Sequence, residues 1–592
     1  MGQQDFARQR LGRRTALARG LVMAMALGMG SAAAGAPADL HATPQLAHPQ
    51  TALIRGSVTG NAHHSAAPAP HSARNNAATS ITVGNCDDSG SGSLREAVTS
   101  ASSGATVDLS GLPNCTINLQ SSIVTSVDDL TLQDTTDATQ VTVSGQYQHT
   151  ILVHNGSGTL TLSGMSFVEG RTATSTPVAR GGCIASGGTL VIDNTTLKYC
   201  QAVNDGTGSA EGGAVSGFYG VTISNSLVLS NHATNTGSGD AGGGAIWSNG
   251  DVDVNDRTVV AYNEAQANGG GSVEGGGICS NGRTYLHGNA QLLENSAISV
   301  GGGAFGGGIH AGAGADVKYS QVSGNTAYSF DVSARGGAIE LGSGMLSIGF
   351  SSISDNQASS PQGSSLGGAV WTQGNVYMHH STVAGNSAQL VGGIDLLGSH
   401  ANQPLRIEES TISGNVSSES NFGAGIYMGN AGEIFNSTIT ANIESNADDN
   451  IYGAGLSVAG NTQVDLVSNI ISGNSLKLGN GSLTPSDINA ANGGSNVSLS
   501  GDVNLIGFVG PSYPPNSIVS DNPGLEPLAD NGGPTMTHAL KPSSLAVDAG
   551  DAGGDTTDQR GGGFDRVVGA RADVGAFELG NDRIFVNGFE SP

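Results

Sequence analysis

The sequence predicts an all-β fold, a parallel solenoid. Three observations carry the prediction: a period near 30 residues, short alternating apolar runs, and glycine-rich turns between them. The clearest copy reads Gly336-Gly337-Ala338-Ile339, Met345-Leu346-Ser347-Ile348 and Ser352-Ile353-Ser354-Asp355-Asn356. Glycine doublets or Gly-Ala-Gly open copies at Gly181, Gly212, Gly243, Gly276, Gly307, Gly336, Gly367, Gly392, Gly423 and Gly453, spaced 31, 31, 33, 31, 29, 31, 25, 31 and 30 residues apart. A closing asparagine recurs at Asn231, Asn263, Asn295, Asn325, Asn356, Asn386, Asn415, Asn442 and Asn474. A fixed period of this length marks a repeat architecture. Runs of alternating apolar residues bounded by Gly, Asn, Ser and Asp are strand grammar, and no copy carries a helical pattern. A propeller blade needs roughly 40–45 residues, whereas about 30 suit one coil of three strands and three turns. Coils stacked about 4.8 Å apart give a rod of roughly 50 Å for ten copies. The glycines then sit at tight bends. The asparagines form an internal ladder at one corner, because Asn tolerates the left-handed region and its amide bonds the next coil.

Composition sets the outer bounds. The chain has 592 residues, 93 of them Gly, only 4% aromatics, and a formal net charge of −26. That charge makes nucleic acid and anionic lipid poor partners. Residues 1–36 read as a signal peptide: Arg8, Arg10, Arg13 and Arg14 precede the apolar segment Leu21–Met29, and Ala32-Ala33-Ala34 offers small residues for cleavage. No later segment reads as a transmembrane helix. Residues 37–79, rich in Ala, Pro and His, show no periodicity and read as a disordered linker.

The glycine-Ala-Ile/Val openings and Ile/Val-x-x-Asn closings resemble the repeats of bacterial polymorphic outer-membrane-type proteins. That resemblance implies a right-handed, pectin-lyase-like parallel β-helix over residues 181–503. Residues 80–180 read as an N-terminal cap and first coils. There, Cys86 and Ser93-Leu94-Arg95-Glu96-Ala97-Val98 resemble the CSLREA-type segment of exported β-helix proteins. Read physically, Asp88 or Ser89 caps a short helix whose Leu94, Ala97 and Val98 are buried over the open end of the stack. Arg95 and Glu96 read as structural ion-pairing residues. Five cysteines in an exported chain suggest disulfides. Cys86 and Cys115 bracket the cap. Cys183 lies in the first glycine copy, and Cys200 takes the place of the ladder asparagine there. Cys279 lies three coils on, about 14 Å away at the coil spacing. The expected pairs are Cys86–Cys115 and Cys183–Cys200, with Cys279 a buried thiol.

Residues 504–578 change language. Asp521-Asn522-Pro523-Gly524-Leu525, Ala529-Asp530-Asn531-Gly532-Gly533-Pro534, Asp558-Gln559-Arg560-Gly561 and Asp573-Val574-Gly575-Ala576-Phe577-Glu578 resemble the choice-of-anchor Q domain. Its charge-paired, turn-rich sequence suits a C-terminal cap. Residues 579–592 form a tail with two aromatics, Phe585 and Phe589.

A search for chemistry returns no catalytic residue, cofactor site or metal site. The basic residues Lys198, Arg257, Arg283, Lys318, Arg335 and Arg406 fall at unrelated places in the repeat, so no charged column is expected. Asp251, Asp253, Asp395, Glu408 and Glu409 read as solvated positions, and His379-His380 as pointing to opposite faces of a strand. β-Helices host polysaccharide lyases and hydrolases, which bears on function only by analogy. The sequence therefore reads as an exported, non-enzymatic, adhesin-like rod on the outside of a Gram-negative cell, monomeric, binding polysaccharide or a surface partner. The alternatives are a polysaccharide lyase or glycoside hydrolase, and a structural spacer.

Overall fold

Every coil solves the same problem: runs of two to five residues are too short to form a sheet alone, so each pairs with its counterpart about 30 residues on. The computed structural model describes residues 79–580 except 113, 137–140, 398–404, 420–421, 446–452, 491–496 and 511–512. The signal peptide, nearly all of the linker, and the tail beyond residue 580 lie outside the described residues.

Five ladders build the rod, parallel but for one terminal antiparallel pair in ladder 3, and ladder 4 spans only part of its length. A coil passes through them in order: Thr189–Asp193 in ladder 1, Thr196–Lys198 in ladder 2, Gln201–Asn204 in ladder 3, Ala210–Glu211 in ladder 4 and Val215–Gly217 in ladder 5. Ladders 1 and 2 have 15 strands each, ladder 5 has 13, ladder 3 has 12 and ladder 4 has seven. Three strands per coil were expected; the flanged coils carry five. Register keeps like residues in columns: Leu190 pairs with Leu160 and Val221, and all three are buried. The main core is this stack of Leu, Ile and Val.

The extra strands form a flange. Ladders 3 and 4 lie back to back on a separate core of Ala210, Ala233, Ala241, Ala265, Ala297, Ala304, Ala327 and Ala334. A methyl-thick layer explains why alanine recurs there. The flange ends with Ser364–Leu366 in ladder 4. The next coil closes without it, which accounts for the short copy after Gly367.

The glycine doublet sits at the flange root. Gly336 has φ +61°, and a Cβ on Gly337 would lie 2.5 Å from the Gln357 carbonyl carbon, where ladder 3 passes. The first glycine supplies the left-handed turn and the second admits a close backbone approach. In two coils the left-handed glycine is Gly275 or Gly306, one residue before the expected Gly276 and Gly307. In a third, Val391 stands at the position equivalent to Gly367, one before the expected Gly392.

The asparagines form a continuous internal chain. Asn386 Nδ2 donates to Asn415 Oδ1 at 2.9 Å and to Ile353 O at 3.0 Å, and Asn415 Oδ1 also accepts from Asn386 N at 3.1 Å. The same pattern runs from Asn231 to Asn474, where Asp487 Oδ1 accepts the last bond at 2.8 Å. The left-handed residue is the one before each asparagine, such as Ser230, Asp355 or Gly385. The asparagine is therefore selected for its amide and not for its φ. A second chain, of hydroxyls, runs beside ladder 2: Ser320, Ser351, Ser381 and Ser410 each give a backbone N–H to the next coil's side chain.

Both disulfides are present, Cys86–Cys115 and Cys183–Cys200, and Cys279 is a buried free thiol. Cys200 N donates to Asn231 Oδ1 at 2.9 Å, so Cys200 occupies the head of the asparagine column. The helix Leu94–Ser100 buries Leu94, Ala97 and Val98 in the main core. Its N-cap is Ser93, not Asp88 or Ser89. Ser93 Oγ accepts from Glu96 N, and Glu96 Oε2 accepts from Gly92 N, a reciprocal cap. Arg95 is paired to Asp88 at 2.6 Å.

The C-terminal region caps the rod from the side. After Ile518–Val519 extends ladder 2, the chain runs back along the outer face of that ladder. Thr382 Oγ1 donates to Met536 O at 2.6 Å, Gln559 bonds both Thr382 and Thr411, and His538 meets Ser413 at 2.8 Å. Arg566 is buried against Glu409 at 3.2 Å and Arg560 against Asp558 at 2.6 Å. A small core of Ile470, Leu540, Ala546, Val574 and Phe577 joins the two.

Candidate functional site

The corner between ladders 1 and 2 places bulky residues in the left-handed region: Tyr319 at φ 50°, Phe350 at 51° and His380 at 48°. Such residues pay a backbone cost there, which marks the corner as constrained. The conformation turns their rings outward into one stack. Tyr319 and Phe350 are parallel within 2° at 4.8 Å, and Phe350 lies 4.5 Å from His380. Sequence reasoning missed the stack, because Tyr319, Phe350 and His380 share nothing but their spacing of about one coil.

On the ladder 2 side the stack walls a cleft of about 310 Å³. Its floor is Asn289, Ala290, Gln291, Ser320, Gln321 and Ser352, with Gln291 paired in register to Gln321. Pro534, Thr535 and Met536 of the C-terminal region form the opposite wall. Tyr319 is 50% exposed. Among the described residues, no protein group bonds the side-chain amides of Asn289, Gln291 and Gln321.

On the ladder 1 side lies a charged row. Tyr377 stacks on His379 at 5.0 Å and donates its hydroxyl to Glu408, which Arg406 holds at 2.6 Å; Arg406 also reaches Glu433 at 3.3 Å. Burial pushes Tyr377 up to about 12, helped by the Glu408 bond. Burial, then the neighbouring His379, pulls His380 down to about 4, and burial lowers His379 too. Both imidazoles are uncharged at neutral pH. Their Nδ1 atoms lie 3.2 Å apart, so they do not point to opposite faces: His380 has left the strand for the corner.

A second cluster lines the re-entrant seam between ladders 4 and 5. Cys279, His310, Glu340, Trp371, Asp395 and Tyr427 follow one another in register along ladder 5. Arg180, Glu211, Glu274, Phe305 and Arg335 share the outward column of ladder 4. A mixed-charge column thus exists where none was expected; the ladder 4 strands are only two or three residues long and gave no sequence signal. Alternation fails here, since all three residues of Ile339–Leu341, Val370–Thr372 and Ile394–Leu396 are buried. His310 Nδ1 bonds Glu340 at 2.5 Å, and Arg335 lies 4.6 Å over Trp371. Burial opposes charge on His310 but is outweighed by Glu340 and Glu274, so its pKa is raised. Burial, then Glu274, lifts the Cys279 thiol well above its usual range, which leaves it unreactive.

Asp395 was expected to be solvated. It is 1% exposed, neither oxygen has a hydrogen-bond partner, and burial raises it to about 7. Glu409, also expected to be solvated, lies beneath the C-terminal region, where burial raises it despite Arg566; Glu408 is buried as well. The Cys183–Cys200 disulfide and the asparagine column are interior and present nothing to a ligand, and Cys86–Cys115 is partly buried in the N-terminal cap. Among the described residues no group of His, Cys, Asp and Glu is placed to hold a metal, and no helix is long and apolar enough to cross a membrane.

No family model matches the chain, and no curated protein does. Among solved structures the chain is similar to a crystal structure of pectate lyase Pel9A at 12% identity, covering 82% of this chain and 90% of that one with a TM-score of 0.23. The chain's own pairing defines its class, a parallel β-solenoid with short strands and almost no helix.

Proposed function

We propose that the chain is an exported, adhesin-like β-helix rod that binds glycan in the cleft beside Tyr319 and Phe350. One observation carries the reading: an exposed Tyr319 stacked on the half-buried Phe350, beside a row of unpaired amides. Aromatic faces take up the apolar faces of sugar rings, and fixed polar groups set orientation. Two disulfides support folding in an oxidising compartment. Calorimetric titration of the protein with neutral oligosaccharides tests this. Tyr319→Ala is expected to weaken binding at least about tenfold, as loss of a central aromatic contact of 1.4 kcal/mol or more would. Unchanged affinity overturns the reading.

A glycoside hydrolase is the second reading, and its support is in the seam. Asp395 and Glu340 flank Trp371 two rungs apart, about 9.6 Å along the rod at the coil spacing. That backbone spacing is of the order seen between the carboxyl groups of inverting hydrolases. Release of reducing ends that Asp395→Asn abolishes would establish it; no release would dismiss it.

A further inference from the structure

We infer that the cleft selects a 2-acetamido sugar over its unsubstituted and acidic counterparts; this rests on the glycan-binding reading above. The two walls differ in kind. The floor offers the amides of Asn289 and Gln291 from one coil and of Gln321 from the next. A primary amide pairs with an acetamido group through both its N–H and its C=O, and a site whose polar groups are left unmatched rejects the analogue lacking the partner. The facing wall offers Pro534 and Met536, with Met536 39% exposed. An acetyl methyl has an apolar surface to cover there, and the soft thioether adapts to it. A plain hexose satisfies only the polar wall.

Charge excludes the third class. No Lys, Arg or His lines the cleft, and the chain carries −26 overall. A uronate carboxylate would enter without a cation to meet it. At about 310 Å³ the cleft is at the lower end of ligand sites, which run from roughly 300 to 1,000 Å³, and suits a single ring with its substituent.

The test is calorimetric titration of the protein with tetra-N-acetylchitotetraose, cellotetraose and tetragalacturonate. Chitotetraose is expected to bind at least about tenfold tighter than cellotetraose, the discrimination that one well-placed small apolar group gives. Tetragalacturonate is expected not to bind. Met536→Ser is expected to narrow the gap without abolishing cellotetraose binding, and Gln321→Leu to weaken chitotetraose most; circular dichroism of each variant reports that the rod is intact. Equal affinity for chitotetraose and cellotetraose, both lost in Tyr319→Ala, overturns the acetamido preference and leaves the glycan reading standing. Binding of none of the three overturns both. An acetamido preference that Met536→Ser and Gln321→Leu leave untouched places the selection elsewhere and overturns this assignment.

Discussion

Two residues in the rod do opposite things with a buried polar group. Asn386 is fully satisfied, its amide bonded to Asn415 and Ile353 and its backbone N–H to the next coil. Asn386→Ala leaves buried partners unpaired and is expected to cost about 1–3 kcal/mol by denaturant unfolding. Asn281→Ala removes only an exposed bond to Asn249 and is expected to cost no more than about 0.5 kcal/mol. Equal losses would mean that the column carries no stability. Asp395, in contrast, has no partner and titrates at about 7. Its folded pKa lies above its unfolded one, so the folded state binds the extra proton. Stability attributable to it is present below about pH 4 and falls as pH rises towards 7, by at most about 4 kcal/mol for a shift of some three units. Asp395→Asn is expected to flatten the stability profile across that window and to be more stable than the parent at pH 8. A parallel profile for the two proteins would refute the assignment.

At the scale of the element, the N-terminal helix shows how a short segment is fixed from several sides. Seven residues are too few to be helical alone. The Ser93–Glu96 cap, the Asp88 pair and the Cys86–Cys115 link hold the helix in place. Closing a loop of 29 residues contributes about 3–4 kcal/mol, so a Cys86→Ser, Cys115→Ser double variant is expected to lower stability by that order and to raise hydrogen exchange first in residues 80–125. Exchange rising uniformly along the rod would refute a local role. The coils themselves were legible because one glycine corner and one asparagine column repeat in every turn. The flange was not. Its strands of two to four residues are too short for alternation to show, and the alanines that pack them read in sequence as filler. The hydroxyl chain was hidden for another reason: Ser320, Ser351 and Ser381 stand among many other serines, and only register reveals which ones stack.

Across the whole molecule, the C-terminal region decides which part of ladder 2 faces solvent. It covers the face from Thr382 to Ile470 and stops at the cleft, so the cleft is made from both parts. Arg566→Met leaves Glu409 buried without its partner and is expected to cost about 3–5 kcal/mol. It is also expected to increase exchange in residues 405–440 and to weaken ligand binding, although residue 566 lies outside the cleft. Binding unchanged while exchange rises would show that the wall formed by Pro534–Met536 holds independently. The cleft was illegible in sequence for the same reason: its two walls lie some 180–250 positions apart along the chain, farther than any repeat pattern reaches.

That return also bears on the order of assembly. Coil-to-coil pairing closes over about 30 residues, so it can proceed stepwise as the chain lengthens. The side of ladder 2 cannot, because Thr382 waits for Gln559, 177 positions downstream, and Ser413 for His538, 125 downstream. Contacts of such separation are slow to form, and surfaces that wait for them stay open to wrong partners. A rod interrupted before residue 534 would have its coils wound but Glu409, Thr411 and Ile470 bare. The returning segment therefore couples the two events: the cleft gains its Pro534–Met536 wall only as the side of ladder 2 is sealed.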